Sequence, residues 1–287
     1  MAIRPRTLSA GVVPVAVGSS LAFAQGVGRP LAALAALAGA LLIQVGTNLA
    51  NDYYDFVRGA DTGERLGPPR VTQQGLLAPP RVLAAALGAF AAATLVGVYL
   101  VIVAGWPIVV VGLVSILAGY AYTGGPFPLG YHGLGDLFVF IFFGVVAVAG
   151  SYYVQALALH PAVWFAAMPV GALGTVLLVV NNLRDVRTDA RAGKRTLVVL
   201  LGVPAARSEY VFLLVAAFAT PVAMWALGVA RPWVLLPLTC LPLVFRPLRC
   251  VLTREGAALN EALRDTARLG LVFGLLFAVG LWLGGAR

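Results

Sequence analysis

The sequence predicts an all-α polytopic membrane protein with nine transmembrane helices. Of its 287 residues, 61% are hydrophobic and 11% are charged, and the mean hydropathy is +0.94. A typical soluble domain carries roughly twice that share of charge. A spanning helix needs roughly 20 apolar residues. Nine segments suit such helices: 8–25, 31–50, 82–103, 107–122, 136–155, 162–181, 209–228, 232–247 and 269–284.

The distribution of charge supports this division and predicts an orientation. When the N-terminus and every second loop are assigned to one side, that side holds 17 of the 20 basic residues and all 11 acidic ones. The positive-inside rule makes this side cytoplasmic and puts the C-terminus across the membrane. The net charge of +9 is then a topology signal first, and an attraction for anionic headgroups or diphosphates second. Nucleic-acid binding is not expected, since the basic residues have no separate soluble domain.

A stripe of polar residues closes the second predicted helix. Asn48, Asn51, Asp52 and Asp55 are spaced i, i+3, i+4 and i+7, so they share one helical face. Carboxylates on one face at the end of an apolar helix repel each other and are costly near lipid. The simplest partner is a hard divalent cation that keeps part of its coordination shell for substrate phosphates.

A second stripe closes the sixth predicted helix. Asn182, Asp185 and Asp189 are spaced i, i+3 and i+7, again after an apolar run. Helix caps are the alternative, but a cap needs one polar residue rather than a stripe. If helices two and six repeat each other, the chain forms two four-helix halves plus a ninth helix. Both stripes then point to the same side and converge on shared metal.

The loop from 56 to 81 borders the first stripe and is rich in donors and acceptors, among them Asp61, Arg70 and Gln73. This composition predicts a cap over a site, and an ordinary solvated loop is the alternative. The segment from 120 to 136 combines Gly and Pro with Tyr122, Tyr131 and His132. It suits binding of an aromatic ring or of an allylic cation by cation–π attraction, with an interfacial tyrosine belt as the alternative.

The longest basic loop follows the second stripe and contains Lys194 and Arg195. Lysine and arginine beside a bound metal are what a diphosphate leaving group requires, and topology charge alone is the alternative. The later segment from 255 to 268, with Asn260 and Glu261, is interpreted as a polar helix with a solvated face.

These motifs together resemble the UbiA superfamily of intramembrane aromatic prenyltransferases. Within it they are most similar to the 1,4-dihydroxy-2-naphthoate polyprenyltransferases of menaquinone synthesis. The resemblance extends over nearly the whole chain. Asp55 and Asp61 are six residues apart, where the general superfamily pattern has four, and this agrees with the naphthoate branch. Direct contact of Asp61 with metal stays open. The matching segments are 4–8, 48–68, 73–76, 130–135, 181–196, 259–261 and 266–268.

The resemblance implies one intramembrane domain over residues 1–287 in the cell membrane, with its active-site loops cytoplasmic. It implies that Mg²⁺ bridges to the diphosphate of a polyprenyl donor, and that Lys194, Arg195 and Arg70 stabilise the leaving diphosphate. The implied metal ligands are Asn48, Asp52, Asp55, Asp185 and Asp189. The implied catalytic residues are Asp52, Asp55, Asp185, Asp189 and Lys194. The implied substrate-binding residues are Asn48, Asn51, Asp61, Arg70, Gln73, Tyr122, Tyr131, His132, Asn182 and Arg195.

The reaction implied by the resemblance begins with loss of diphosphate, which leaves an allylic cation. The electron-rich naphthoate carbon attacks it, and the acceptor loses its carboxylate as carbon dioxide, so that demethylmenaquinol is formed. Other aromatic acceptors, such as homogentisate or 4-hydroxybenzoate, are the nearest alternative. A second alternative is an ion-coupled transporter, in which intramembrane carboxylates bind protons or sodium. Chain length of the donor and oligomeric state are not predicted.

Overall fold

The computed structural model of the protein describes residues 5–61 and 66–284. No β-strand occurs among these residues, so the predicted all-α class is confirmed for them. Arg4 of the predicted interfacial anchor, residues 62–65 of the first long loop, and Arg287 lie outside the described part. The long helical elements are α1 Pro5–Ala24, α2 Pro30–Val57, α3 Pro79–Ala104, α4 Pro107–Ala121, α5 Gly135–Ala156, α6 Ala162–Arg191, α7 Val203–Ala226, α8 Pro232–Thr253 and α9 Leu259–Gly284.

Seven described helical segments are long and apolar enough to cross a membrane. They comprise α2, α3, α5, α6, α7, α8 and the segment Gly256–Gly284 that contains α9. The apolar parts of the two others, Leu8–Ala24 and Pro107–Ala121, are shorter. At a rise of about 1.5 Å per residue, Pro107–Ala121 measures about 22 Å, against a hydrocarbon core of about 30 Å. A multi-pass membrane protein with seven candidate spans is therefore established.

Both stripe-bearing helices run further than the predicted apolar segments. The segment predicted to end at residue 50 continues as α2 to Val57, and the one predicted to end at residue 181 continues as α6 to Arg191. Apart from Asn48, the residues of the polar stripes thus lie on regular helix beyond the predicted apolar segments. Their side chains are consequently fixed by helical geometry.

The main hydrophobic core lies among α1, α6, α7 and α9, where residues such as Leu21, Val176, Tyr210 and Phe273 are buried. A second cluster includes Leu100, Ile108 and Val154, from α3, α4 and α5.

Helix α5 changes from α- to π-helical geometry over Phe140–Val146, and there it packs closely on α6. A Cβ at Gly144 would lie 2.6 Å from Cα of Gly171, so this crossing requires glycine. Close packing here holds the loop before α5 near the end of α6.

Candidate active site

The polar stripes of α2 and α6 line one cavity. It has a volume of about 930 Å³ and is lined mainly by apolar residues of α1 to α6. Its polar lining includes Asn48, Asn51, Asp52 and Asp55 from α2 and Asn181, Asn182 and Arg184 from α6. A cleft of about 30 Å³ adjoins it and is lined by Asp55, Ala60, Asp61, Arg70, Asn181, Asp185, Thr188, Asp189 and Lys194. The four residues common to both linings are Asp55, Arg70, Asn181 and Lys194.

Asp55 is the part of the first stripe that reaches the cleft. Its Oδ2 accepts a 2.9 Å hydrogen bond from Nη2 of Arg70, and its Oδ1 accepts a 2.8 Å bond from the hydroxyl of Tyr131. Nε of Arg70 lies 2.9 Å from Oδ2 of Asp61. Arg70 therefore bridges two buried carboxylates. Burial acts to lower the pKa of Arg70, but the carboxylates of Asp55, Asp61 and Asp52 outweigh it and raise that pKa, so the guanidinium stays charged.

Asp52 has a different environment from Asp55. Its carboxylate accepts hydrogen bonds from the backbone N–H groups of Val71 at 3.2 Å and Thr72 at 3.3 Å, and from the Thr72 hydroxyl. The Thr72 hydroxyl also lies 3.1 Å from the Asp52 carbonyl oxygen. Asp52 lines the large cavity but not the cleft. In this arrangement it anchors the segment that follows Arg70, and so helps to place that guanidinium.

The second stripe is held by Arg184, a fully buried residue of α6. Its Nε and Nη2 donate to the two carboxylate oxygens of Asp185, at 2.8 and 2.5 Å. Nη2 also donates to Oδ1 of Asn181 at 2.7 Å, and Nη1 donates to Oδ1 of Asn260 at 3.0 Å. Nδ2 of Asn260 donates in turn to the carbonyl oxygen of Leu66 at 2.8 Å. Arg184 thus connects the second stripe to α9 and to the first long loop.

Lys194 stands beside Asp189 at the end of α6. Its Nζ lies 3.8 Å from Oδ1 of Asp189, and its backbone N–H donates to the carbonyl oxygen of Asp189 at 2.8 Å. Because that backbone bond fixes the turn after α6, the ammonium group is held at the junction of the cleft and the cavity.

Tyr131 joins the two stripes. Its hydroxyl donates to Asp55, while Nζ of Lys194 lies 5.4 Å and Cζ of Arg58 5.5 Å from its ring centroid, within cation–π range. Burial and the Asp55 carboxylate raise the pKa of Tyr131, so its hydroxyl stays a donor. The sequence suggested that this ring binds an aromatic substrate or an allylic cation. In the structure its π system already holds two cations of the protein.

Sequence comparison supplies the family. The family model described as "UbiA prenyltransferase family" matches residues 11–272, which include both stripes and all of the residues found to line the cavity except Ala10. The chain belongs to the UbiA prenyltransferase family.

Relatives and solved structures agree with this membership. The chain is 41% identical over 282 residues to the 1,4-dihydroxy-2-naphthoate octaprenyltransferase of Mycobacterium tuberculosis (strain ATCC 25618 / H37Rv), with 98% of this chain and 95% of the relative covered. The apo structure of a UbiA homologue from Aeropyrum pernix K1 matches at a TM-score of 0.72 and 14% identity, over 96% of this chain and 97% of that one. A UbiA homologue from Archaeoglobus fulgidus bound to DMAPP and Mg²⁺ matches at a TM-score of 0.64 and 14% identity, over 96% of this chain and 98% of that one. These structures support the UbiA-like fold.

Four residues predicted to bind substrate in this UbiA chain line neither the cavity nor the cleft: Gln73, Tyr131, His132 and Arg195. His132 is exposed and stacks on Phe127 at 3.8 Å between ring centroids, with Nδ1 2.8 Å from the Pro128 carbonyl oxygen. Arg195 is exposed, and its backbone N–H donates to the Tyr131 carbonyl oxygen at 3.1 Å. Direct substrate binding by these four stays a prediction. Local sequence does not fix which way a loop side chain points, and the structure places these side chains outside the lining of both spaces.

The other predicted residues do meet. Tyr122 lines the large cavity, and Gly130 and Gly135 leave room for its ring: a Cβ at either would lie 3.0 Å from it. Asn51 accepts a 2.7 Å hydrogen bond from the Thr123 hydroxyl. Asn182 is buried and also lines the cavity.

Sequence reasoning missed Asn181, Arg184 and Asn260. Asn181 is four residues before Asp185 and eight before Asp189, and this helical spacing could have identified it as a member of the second stripe. The interpretation of Asn260 as part of a solvated face is wrong, since it is half-buried and bonded to Arg184 and Leu66. No local pattern could reveal that contact, because the partners are 76 and 194 residues away.

The donor set of the cleft suits Mg²⁺, which prefers carboxylate and amide oxygens. Asp55, Asp61, Asp185 and Asp189 supply carboxylate oxygens, and Asn181 supplies an amide oxygen. Yet within the described residues no three acidic, histidine or cysteine side chains form a group that could hold a metal ion. Arg70, Arg184 and Lys194 form ion pairs with the carboxylates instead. The donor atoms suit Mg²⁺, which requires that these cations move away from the carboxylates.

Proposed function

We propose that this chain transfers a polyprenyl group from polyprenyl diphosphate to 1,4-dihydroxy-2-naphthoate, with loss of diphosphate and carbon dioxide, to give demethylmenaquinol. The observation that carries the proposal is the junction of an oxygen-rich cleft with a long apolar cavity. An amphiphilic donor with a charged head and a hydrocarbon tail fits that pair of spaces. The choice of acceptor rests on the full-length relative that is named for this naphthoate.

The tail of the donor occupies the apolar cavity in this proposal. Lining residues on α2 extend from Ala36 to Asp55. These 19 helical steps cover about 28 Å, close to the roughly 30 Å of a bilayer's hydrocarbon core. A tail extended alongside α2 keeps its hydrocarbon away from water while its head stays at the polar end.

Mg²⁺ is assigned to the two stripes, and its proposed protein ligands are Asn48, Asp52, Asp55, Asp185 and Asp189. Of these, Asp55, Asp185 and Asp189 line the cleft, while Asn48 and Asp52 line the adjoining cavity. Support comes from the oxygen donor set and from a family structure bound to DMAPP and Mg²⁺. When bound, such an ion neutralises the diphosphate and makes it a better leaving group.

Lys194 and Arg70 are assigned to the leaving diphosphate. Both residues line the cleft and the cavity, so their charges lie where the diphosphate head and the hydrocarbon tail of the donor meet. Fixed cations aimed at a developing negative charge stabilise the transition state without reorganisation. Asn48, Asn51, Tyr122 and Asn182 border the same space and are assigned to orient the substrates.

The acceptor attacks the allylic carbon as the bond to diphosphate breaks. The bond between the ring and the carboxylate then breaks, carbon dioxide leaves, and the electron pair of that bond stays with the ring and restores its aromaticity. No base for a ring proton is needed, and none is assigned. The apolar lining of the cavity disfavours water near the reacting carbon, which protects the allylic cation from hydrolysis.

The architecture proposed for this enzyme has nine crossings, with α1 and α4 as the two short ones. It consists of two four-helix halves and α9, within a single domain spanning residues 1–287. The N-terminus and the cleft face the cytoplasm, supported by the distribution of basic residues.

An acceptor panel tests the proposed function. Purified protein in liposomes receives octaprenyl diphosphate and either the naphthoate, homogentisate or 4-hydroxybenzoate, with and without Mg²⁺. We expect Mg²⁺-dependent product with the naphthoate and much less with the others. Preference for another acceptor would retain prenyl transfer but reject the naphthoate, and no product with any acceptor would reject prenyl transfer.

A further inference from the structure

Arg70 lies between the carboxylate of Asp55, in the first stripe, and that of Asp61, in the loop that follows it. Nη2 lies 2.9 Å from Oδ2 of Asp55, and Nε lies 2.9 Å from Oδ2 of Asp61. Arg70 is 8% exposed, and both carboxylates are buried as well. Removing one partner from a buried ion pair leaves an uncompensated charge. These aspartates therefore need either this guanidinium or another cation.

The described cluster contains five carboxylates: Asp52, Asp55, Asp61, Asp185 and Asp189. Arg70, Arg184 and Lys194 form ion pairs with members of it. Without Arg70 the cluster becomes more negative by one charge, and it should attract cations more strongly.

Arg70 also has capacity for a second partner. Within residues 5–61 and 66–284, its buried Nη1 has no hydrogen-bond partner. The residue lines both the cleft and the large cavity. A buried guanidinium with a spare donor at this junction can bond to an anionic head group that enters there.

We propose that Arg70 is an internal counter-cation that competes with metal for Asp55 and Asp61 and transfers its bonds to the donor diphosphate when both bind. The inference rests on the proposed function for the identity of the donor. Without donor, Arg70 weakens metal binding. With donor present, the guanidinium has an alternative anionic partner, so the two ligands bind cooperatively, and linkage makes this coupling reciprocal.

Direct measurement of metal affinity tests this coupling. Mn²⁺ serves as the probe, and its binding to purified protein is followed by electron paramagnetic resonance. Measurements are made with and without a thio-analogue of geranyl diphosphate that does not release its leaving group. For Arg70→Gln we expect roughly five- to 150-fold tighter Mn²⁺ binding than wild type in the absence of the analogue. The analogue should then raise Mn²⁺ affinity by a smaller factor in the variant than in wild type.

Arg58→Gln is the matched control. It removes the same charge nearby, but Arg58 contacts the Tyr131 ring and the Gly125 carbonyl oxygen rather than the carboxylate pair. Mn²⁺ affinity should be nearly unchanged. If Arg70→Gln does not fold, Arg70→Lys decides the matter, because it keeps the charge but loses the fork that bridges Asp55 and Asp61. It should also bind Mn²⁺ more tightly than wild type.

Unchanged or weaker Mn²⁺ binding in the folded Arg70 variant, or equal tightening in Arg58→Gln, overturns the inference. Prenyl transfer is assayed on the same wild-type preparation. If that preparation transfers no prenyl group while the Arg70 variant shows the expected shifts, the proposed function fails and the competition stands. If the wild type is active and the shift is absent, the competition fails and the proposed function stands.

Discussion

The hydroxyl of Tyr131 donates a 2.8 Å hydrogen bond to Oδ1 of Asp55, and this bond links the loop before α5 to the first carboxylate stripe. The ring of the same tyrosine lies under Nζ of Lys194, which stands beside Asp189 of the second stripe. One side chain therefore contacts residues associated with both stripes. It gives a physical reason why two motifs 133 residues apart in sequence act at one place.

Two substitutions separate the roles of the Tyr131 hydroxyl and ring. Tyr131→Phe removes a hydrogen bond to a carboxylate, worth roughly 1.5–3 kcal/mol, but keeps the ring near both cations. Tyr131→Leu removes the ring too. We expect the donor KM to rise moderately in Tyr131→Phe and further in Tyr131→Leu, measured by steady-state prenyl transfer. Wild-type kinetics in Tyr131→Leu would contradict this role.

Asp52→Asn should destabilise the protein, although the removal of one charge from a cluster of like charges usually relieves repulsion. An asparagine amide offers an N–H group where the carboxylate now accepts from Val71 and Thr72, so one buried donor loses its acceptor. We expect a loss of about 1–3 kcal/mol in the free energy of unfolding. Thermal unfolding in detergent measures it, and an unchanged unfolding temperature would show that Asp52 does not anchor this segment.

Asp185→Asn should lower both turnover and stability. The amide keeps the shape of the side chain, but only its oxygen can still accept from Arg184, so one of the two donors on that buried guanidinium loses its acceptor at this position. The substitution also removes one negative charge from the proposed metal site. Turnover should fall by roughly two orders of magnitude or more, in line with the loss of one electrostatic contact in other active sites. Folding is checked by thermal unfolding. A well-folded Asp185→Asn protein with full Mg²⁺-dependent turnover would exclude this aspartate from the site.

Adjacent basic residues provide a matched pair. Lys194→Ala should raise the donor KM by roughly 10- to 100-fold, since a charge-assisted bond is worth about 1.5–3 kcal/mol, and should spare the KM of the acceptor. Arg195→Ala removes the same charge from an exposed side chain that lines neither the cavity nor the cleft, and should change donor kinetics little. Equal effects of both substitutions would mean that only the net charge of the loop matters.

Filling the apolar cavity should discriminate between donors by length. Gly112 lines the cavity, and a Cβ there would meet nothing within 4 Å. Gly112→Leu should lower kcat/KM for octaprenyl diphosphate by roughly 5- to 150-fold through overpacking of about 1–3 kcal/mol, and spare geranyl diphosphate. Gly88→Leu is the control, because Gly88 is exposed on α3, has equal space for a Cβ and does not line the cavity. Equal losses for both donors would place the tail elsewhere.

Helical periodicity explains which parts of the site were predictable. Asp55, Asp185 and Asp189 lie on helices, so their spacing alone gave a shared face, and the structure brings these faces to one cleft. The loops are different. Arg70 and Arg195 looked equivalent in sequence, yet the first is buried between two aspartates and the second is exposed. Asn260 could not be found, because its partners come from α6 and from the first long loop.

The reaction is tested most directly by following the carboxyl carbon of the acceptor. Purified wild-type protein in liposomes receives octaprenyl diphosphate, Mg²⁺ and 1,4-dihydroxy-2-naphthoate labelled with carbon-14 in its carboxyl group. We expect labelled carbon dioxide to be released in equal amount to the prenylated product, with neither formed when donor or Mg²⁺ is left out. A prenylated product that retains the label, or label released without prenylation, would contradict the proposed reaction.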